Sequence, residues 1–316
     1  MRRRAWAGAR LLGGVLILAV LFWRLGADPF LDGLRGLGPG TLLAAVALGA
    51  VTTVLSAWRW RVVAAALGVG LPQSGATAAY YRSQFLNSAL PGGVLGDVDR
   101  GLRHGSDAGD LGRGLRAVFW ERVAGQTVQA AVAIAVLLIL PSPVPTAVPA
   151  VATVGAVVAG ILLVTRRRVA PRGALLQPAT LRPVLLASLL VVGGHVGMFL
   201  LASRAAGVDG SPLELLPLAL IVLLAAAIPL NVGGWGPREG AAAWVFAATG
   251  WGAAAGASVA TAFGVLTLVA VLPGAVVLLA GRRQPRPRGL RPGAPRREPV
   301  SDLVHSGTRE DGAGHG

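Results

Sequence analysis

The stretch "PVLLASLLVVGGHVGMFLLA", residues 183–202, contains no aspartate, glutamate or arginine. Wound as a helix at about 1.5 Å per residue, it reaches about 30 Å, the thickness of a bilayer's hydrocarbon core. Six further stretches read the same way: 8–24, 41–58, 117–140, 148–165, 213–230 and 256–280. Over its 316 residues the chain is 54% hydrophobic and 14% charged, with mean hydropathy +0.65. Soluble domains carry about 25% charged residues. These runs predict an all-α polytopic membrane protein.

The charges orient it. All 29 basic residues are arginine, and the formal net charge is +15. Lysine-free usage reflects a GC-rich coding bias and argues for a bacterial source. In a soluble chain such an excess suggests nucleic acid. Here the arginines fall in short segments between apolar runs, the positive-inside pattern, so no nucleic-acid partner is expected. Met1 to Arg10 holds four of them, and "WRWR" (58–61), "RRRVAPR" (166–172) and "GRRQPRPRGLRPGAPRR" (281–297) follow later spans. These segments are assigned to the cytoplasm, together with both termini. Segments 25–40, 141–147 and 203–212 are poor in arginine and are assigned outside. Both termini inside requires an even number of crossings. The alanine- and glycine-rich segment 240–254 supplies the eighth. The spanning domain is then 1–281. The proline-, glycine- and charge-rich segment 282–316 reads as a disordered basic tail against anionic headgroups, or as a topology signal alone.

Two segments interrupt this plan. "LNSALPGGVLGDVDRGL" (86–102) and "AIPLNVGGWGPREGAA" (227–242) each leave an apolar helix through an asparagine, Asn87 or Asn231. A glycine pair follows, Gly92-Gly93 or Gly233-Gly234, then another glycine, Gly96 or Gly236. Each ends on an acid with a nearby arginine: Asp97 and Arg100, or Glu239 and Arg238. Pro91 and Pro237 add a missing donor. The breaks fall near 85–100 and 229–240. Because 76–100 is flanked by arginines on both sides, it enters and leaves on one face, as a re-entrant hairpin or as an interfacial helix with a loop. Exposed backbone is not tolerated against lipid, so such breaks face protein or a water-filled cavity. Interruptions in both halves of a membrane protein point to a central transport site. The half-helices after the breaks would offer N–H groups to a phosphate, with Arg100 and Arg238 as bidentate partners. The plainer alternative is a pair of cytoplasmic turns with ordinary caps.

"FWERVAGQTVQ" (119–129) adds Glu121 and Arg122 at the start of a span, where ionisable groups are costly. As helix neighbours they point about 100° apart and each needs a partner elsewhere. Crosswise pairing is expected: Glu121 with Arg238 or Arg100, and Arg122 with Asp97 or Glu239. His195 reads as a helix–helix hydrogen bond, Glu214 as a first-turn charge behind Ser211-Pro212, and Gly252 with Gly256 as a packing pair.

"LNSALPGGVLGDVDR", "ERVAG" and "NVGGWGPREG", in this order, resemble the signatures of the lysylphosphatidylglycerol synthase transmembrane-region family, also called flippase-like membrane proteins. The resemblance covers residues 8 to 283. Asn231-Val232 stands where the commoner proline precedes the second glycine pair. The resemblance implies a polytopic module that moves a modified or glycosylated lipid between leaflets. It makes Asn87, Pro91, Gly92, Gly93, Gly96, Asp97, Arg100, Glu121, Arg122, Asn231, Gly233, Gly234, Gly236, Arg238 and Glu239 the candidate substrate-binding set. The partner expected is an anionic phospholipid or lipid-linked sugar in a bacterial inner membrane. Some family members carry a soluble aminoacyl-transferase domain, but the longest polar segment here is the 36-residue tail, so synthase activity is not expected. The alternatives are a membrane-embedded enzyme using Asp97, Asp99, Glu121 and Glu239 as acids, or an accessory scaffold for a synthase or glycosyltransferase encoded elsewhere. No cofactor or metal is expected: the sequence lacks cysteine, a Walker-type loop, a His-Glu-x-x-His motif and a nucleophile elbow.

Overall fold

A computed structural model describes residues 15–90, 93–140, 173–228 and 235–283. The span expected at 148–165, nearly all of the tail, and Pro91, Gly92, Asn231, Gly233 and Gly234 lie outside them. The described residues form helices joined by short turns: α1 (Val15–Leu25), α2 (Asp28–Arg35), α3 (Pro39–Ala66), α4 (Gln73–Ala89), α5 (Leu95–Asp107) and α6 (Leu111–Ile139). There follow α7 (Pro178–Ala205), α8 (Pro212–Ala226), α9 (Pro237–Ala248), α10 (Ala253–Val271) and α11 (Pro273–Arg283).

Among the described residues, four apolar helices are long enough to cross a bilayer: α3, α6, α7, and the continuous pair α10–α11 over Ala253–Ala280. They match the runs 41–58, 117–140, 183–202 and 256–280. The last is divided near Leu272, because Pro273 offers no N–H to continue the ladder. The other two matched segments are shorter than expected. α8 has 15 residues and α9 has 12, about 22 and 18 Å of helix, so neither crosses alone.

The helix starts follow from local chemistry. Proline occupies the first turn of α3, α7, α8 and α9, where its missing donor costs nothing. Ser211 and Glu214 form a reciprocal capping box on α8, the role expected of Glu214. Asp110 caps α6 by accepting from the Arg113 N–H.

α7 packs along α3, and α10 lies against α2, α3, α7 and α9. One apolar core gathers Phe199, Phe246, Phe263, Leu218 and Leu266 from α7 to α10. A smaller one joins Trp60, Val63, Tyr80 and Trp120 from α3, α4 and α6. Leu181, Leu185, Leu186, Leu189 and Leu190 make an exposed stripe on α7, as a lipid-facing helix requires.

The segment 76–100 is an antiparallel hairpin of α4 and α5. Ser83 faces Asp97, and Tyr80 faces Arg100. α4 also packs on α3, α10 and α11, so this polar helix sits within the bundle. Gly96 sets the closeness of the hairpin: a Cβ there would lie 2.0 Å from the Ser83 carbonyl oxygen. The Gly252/Gly256 pair does not form one packing seam. Gly252 has φ +88 and precedes α10, while Gly256 alone takes the close approach to Ala242.

Candidate functional site

Asp97 stands in the first turn of α5, and α4 supplies its neutral partners. Ser83 Oγ donates to Asp97 Oδ1 at 2.9 Å, and Asn87 Nδ2 donates to Oδ2 at 3.1 Å. The Gly96 N–H donates to Asn87 Oδ1 at 2.7 Å, which fixes the asparagine's orientation. Arg100 reaches Oδ1 at 3.0 Å and Arg122 of α6 reaches Oδ2 at 2.5 Å. α5 is short and polar and lies outside the spanning helices. Burial pushes the Asp97 carboxyl up, but Arg122, Arg100 and the Ser83 hydroxyl outweigh it and hold it at about 2. It is a carboxylate at any physiological pH.

Glu121, one residue before Arg122, is fully buried. Its Oε1 accepts from Arg59 Nε at 3.0 Å, Arg59 Nη2 at 2.5 Å and the Tyr80 hydroxyl at 3.1 Å. Its Oε2 accepts from Arg100 Nη2 at 3.1 Å. The Arg100 guanidinium lies 4.5 Å from the Trp60 ring centroid and 4.2 Å from that of Tyr80, held between two aromatic faces. Arg59 Nη1 donates to Ser188 Oγ at 3.1 Å, which ties the network to α7. A Cβ at Gly125 of α6 would meet the Arg59 guanidinium at 2.8 Å, so that glycine makes the arginine's seat.

The second break is self-contained. Arg238 pairs with Glu239, and the Glu239 Oε2 accepts the Gly236 N–H at 2.6 Å. Gly236 takes φ +127, a conformation that favours glycine. The Arg238 guanidinium lies 5.2 Å from the Trp235 centroid and 5.5 Å from that of Phe263. Gly264 opens the space it fills, since a Cβ there would lie 2.3 Å from Arg238 Nη2.

A cavity of about 310 Å³ lies where these elements meet. Arg59, Arg122 and Arg238 come to it from α3, α6 and α9. Gln84, Asn87, Gln126 and Gln129 add amides, and Leu223, Leu268 and Val271 add apolar surface. Gly93 and His195 also line it. Around it, Arg59, Arg100 and Arg122 share two carboxylates, Glu121 and Asp97. The Nε of Arg122 and the Nε2 of Gln129 are buried without a partner.

Both expected pairs therefore form, each with its first-break partner. Glu121 bonds Arg100 and Arg122 bonds Asp97, but neither reaches the second break, whose arginine and glutamate bond each other. The charges form two clusters around one cavity. One donor at each half-helix start is taken: Asn87 accepts the Gly96 N–H and Glu239 accepts the Gly236 N–H. Glu239 has no contact with Arg122, and Glu121, Asp97, Arg100, Glu239, Gly96 and Gly236 lie behind the cavity wall rather than on it. His195 bonds the Val191 carbonyl of its own helix at 2.8 Å instead of a neighbouring helix. Arg59 is the residue the sequence reading missed. Placed with the cytoplasmic "WRWR", it is 5% exposed and lies well inside α3, which runs on to Ala66. The signal available was the apolar "VVAAA" (62–66) beyond it.

A bundle of long apolar helices, a broken hairpin within it, and an arginine-lined central cavity define a polytopic helical membrane protein. The chain matches the family described as "Lysylphosphatidylglycerol synthase TM region" over residues 8–274, and it belongs to that family. No curated protein and no solved structure matches it.

Proposed function

We propose that the protein is a flippase-like transporter that holds the headgroup of an anionic lipid or lipid-linked sugar in the central cavity while the acyl chains stay in the bilayer. The observation that carries this reading is the positive excess at the cavity: three arginines share two carboxylates, and the Arg122 Nε is left without a partner. Guanidinium groups bind phosphate oxygens in pairs and remain charged at any relevant pH. The amides of Gln126 and Gln129 suit the neutral part of a headgroup, and Leu268 and Val271 suit the first methylenes.

On this reading the chain performs no covalent step. Its four candidate acids support that: Asp97, Glu121 and Glu239 each hold an arginine, and Asp99 holds Arg82 and Arg103. A carboxylate committed in this way is a poor general base. Purified protein given ATP, or aminoacyl donors with phosphatidylglycerol, should form no product in excess of the protein. Lipid modification would fall to a separately encoded synthase or glycosyltransferase, and the setting would be a bacterial inner membrane with both termini cytoplasmic.

The test is translocation in proteoliposomes of fluorescent phosphatidylglycerol against fluorescent phosphatidylcholine. Wild-type protein should move the anionic lipid faster. Arg122→Gln should abolish that preference, and Arg238→Gln, whose charge Glu239 already balances, should weaken it less. Equal rates for both lipids in wild-type protein would overturn the proposal.

A further inference from the structure

A second cavity, of about 500 Å³, lies between α3, the α4–α5 hairpin and α11. Trp60, Arg82, Asp99, Arg100, Arg103, His104 and Asp107 line it. None of the first cavity's arginines does.

Its polar balance is one-sided. Trp60 Nε1, Arg82 Nε, and Arg100 Nε and Nη1 are buried without hydrogen-bond partners. Trp60 is 0% exposed and Arg100 is 2% exposed, so neither is served by bulk solvent. All four atoms are donors, and burying a donor without a partner is unfavourable. Of the two carboxylates on the lining, Asp107 stands exposed at the end of α5 and Asp99 is already engaged. Asp99 takes Arg82 Nη2 and, at 3.0 Å, Arg103 Nε, and the Val69 carbonyl accepts from His104 Nε2 at 2.8 Å. The far end of Arg100 is also engaged, by Asp97 and Glu121, and the Trp60 and Tyr80 rings hold its plane. The missing partner is thus a group with several acceptor oxygens, no donors, and negative charge.

We infer that this second cavity is a phosphate site, in which Trp60 Nε1, Arg82 and Arg100 donate to the oxygens of one phosphate ester. The volume is far larger than inorganic phosphate needs and leaves room for a polyol or sugar on the ester. The ligand is therefore a lipid phosphodiester headgroup or a free phosphorylated solute; both present the same oxygens. The site does not depend on whether the central cavity translocates lipid.

The experiment uses the full chain in nanodiscs of phosphatidylcholine alone, with radiolabelled inorganic phosphate as the probe. A second set of discs contains phosphatidylglycerol, and the lipid retained on the protein is measured after delipidating washes. Arg82→Gln and Trp60→Phe should each weaken phosphate binding about tenfold or reduce the retained phosphatidylglycerol, while Arg35→Gln, at an exposed arginine that lines neither cavity, leaves both within about twofold. Trp60→Phe keeps the ring that faces Arg100, and Arg82→Gln alters a side chain at the cavity rim, so one can serve if the other misfolds. Phosphate binding that phosphatidylglycerol displaces assigns the site to a lipid headgroup, and binding that it does not displace assigns it to a free solute. If neither phosphate binding nor lipid retention changes in either variant, or if Arg35→Gln removes both as fully, the second site does not exist.

Discussion

Glu121→Gln isolates the charge that three helices share. The carboxylate is fully buried and serves two guanidiniums and a phenol, so the substitution changes the electrostatics of all three with little change of shape. Arg100 keeps Asp97 at 3.0 Å after the change, whereas Arg59 keeps only the Ser188 hydroxyl. One arginine is therefore left buried and uncompensated, not two. Losing one partner of a buried pair costs about 3–5 kcal/mol, and the structure implies that cost once. Equilibrium unfolding in mixed micelles measures it, with Arg59→Gln and Arg238→Gln as second partners in double-mutant cycles. Glu121→Gln with Arg59→Gln should lose less than the two singles together, with a coupling of about 0.5–3 kcal/mol. The pair with Arg238→Gln should add to within about 0.5 kcal/mol, since Glu121 and Arg238 share no bond. A Glu121→Gln loss below about 1 kcal/mol, or strict additivity with Arg59→Gln, would refute the buried network.

Gly96→Ala places a methyl 2.0 Å from the Ser83 carbonyl oxygen and 2.9 Å from Asn87 Oδ1, so the hairpin must open. Overpacking of this kind costs about 1–3 kcal/mol, and thermal unfolding should show a loss that Gly70→Ala, with open space around it, does not. Gly264→Ala should displace the Arg238 guanidinium from the cavity wall, and binding of phosphatidylglycerol should fall no further when Arg238→Gln is added. Single cysteines introduced into this cysteine-free chain test orientation: Ala108→Cys and Leu290→Cys should escape an impermeant external reagent, and Val144→Cys should react with it. Position 108 suits the test because it is exposed, unlike Gly105, which packs on Leu111.

The long spans were legible because hydrocarbon demands them: a run such as 183–202 has no other stable place. The short helices were not. α8 and α9 belong to one apolar stretch with a glycine-rich interruption, and hydropathy sees the apolar residues on both sides rather than the stopping points set by Ala226 and Pro237. α4 was harder still. It carries Gln73, Arg82, Gln84 and Asn87, a composition that points to the surface, yet it packs on α3, α10 and α11. Its polar face meets Asp97, Glu121 and the cavity instead of water. Within the site, the cost of charge near hydrocarbon correctly drew attention to Glu121 and Arg122, and Asp97 and Arg100 proved to be their partners. Arg59 was lost because an arginine after an apolar run reads as a helix end. Only the buried spacing of Ser56, Arg59, Trp60 and Val63 places it on an inward face.

The two breaks solve the same problem differently, and position in the helix decides which solution is open. Glu121 and Arg122 lie inside the 29-residue α6, where neighbours diverge by about 100° and cannot turn toward one another. They recruit α3, α4 and α5, and the recruitment brings more cations than acids. Arg238 and Glu239 lie in the first turn of α9, where the end of the helix leaves space to fold back. Glu239 reaches the Gly236 N–H and its other oxygen meets the adjacent arginine, so this break is neutral and satisfied within four residues. Positive charge in excess of the acids therefore lies on the α3–α6 side of the cavity. On the proposed reading, an anion in it would meet Arg122 as the cation with an unpaired donor, and Arg238 as a polar wall braced by Trp235, Phe263 and Glu239. Had Glu121 and Arg122 paired with Arg238 and Glu239 instead, the network would have drawn on both breaks and the excess would have been spread around the cavity. Local pairing at the second break leaves it concentrated at the first.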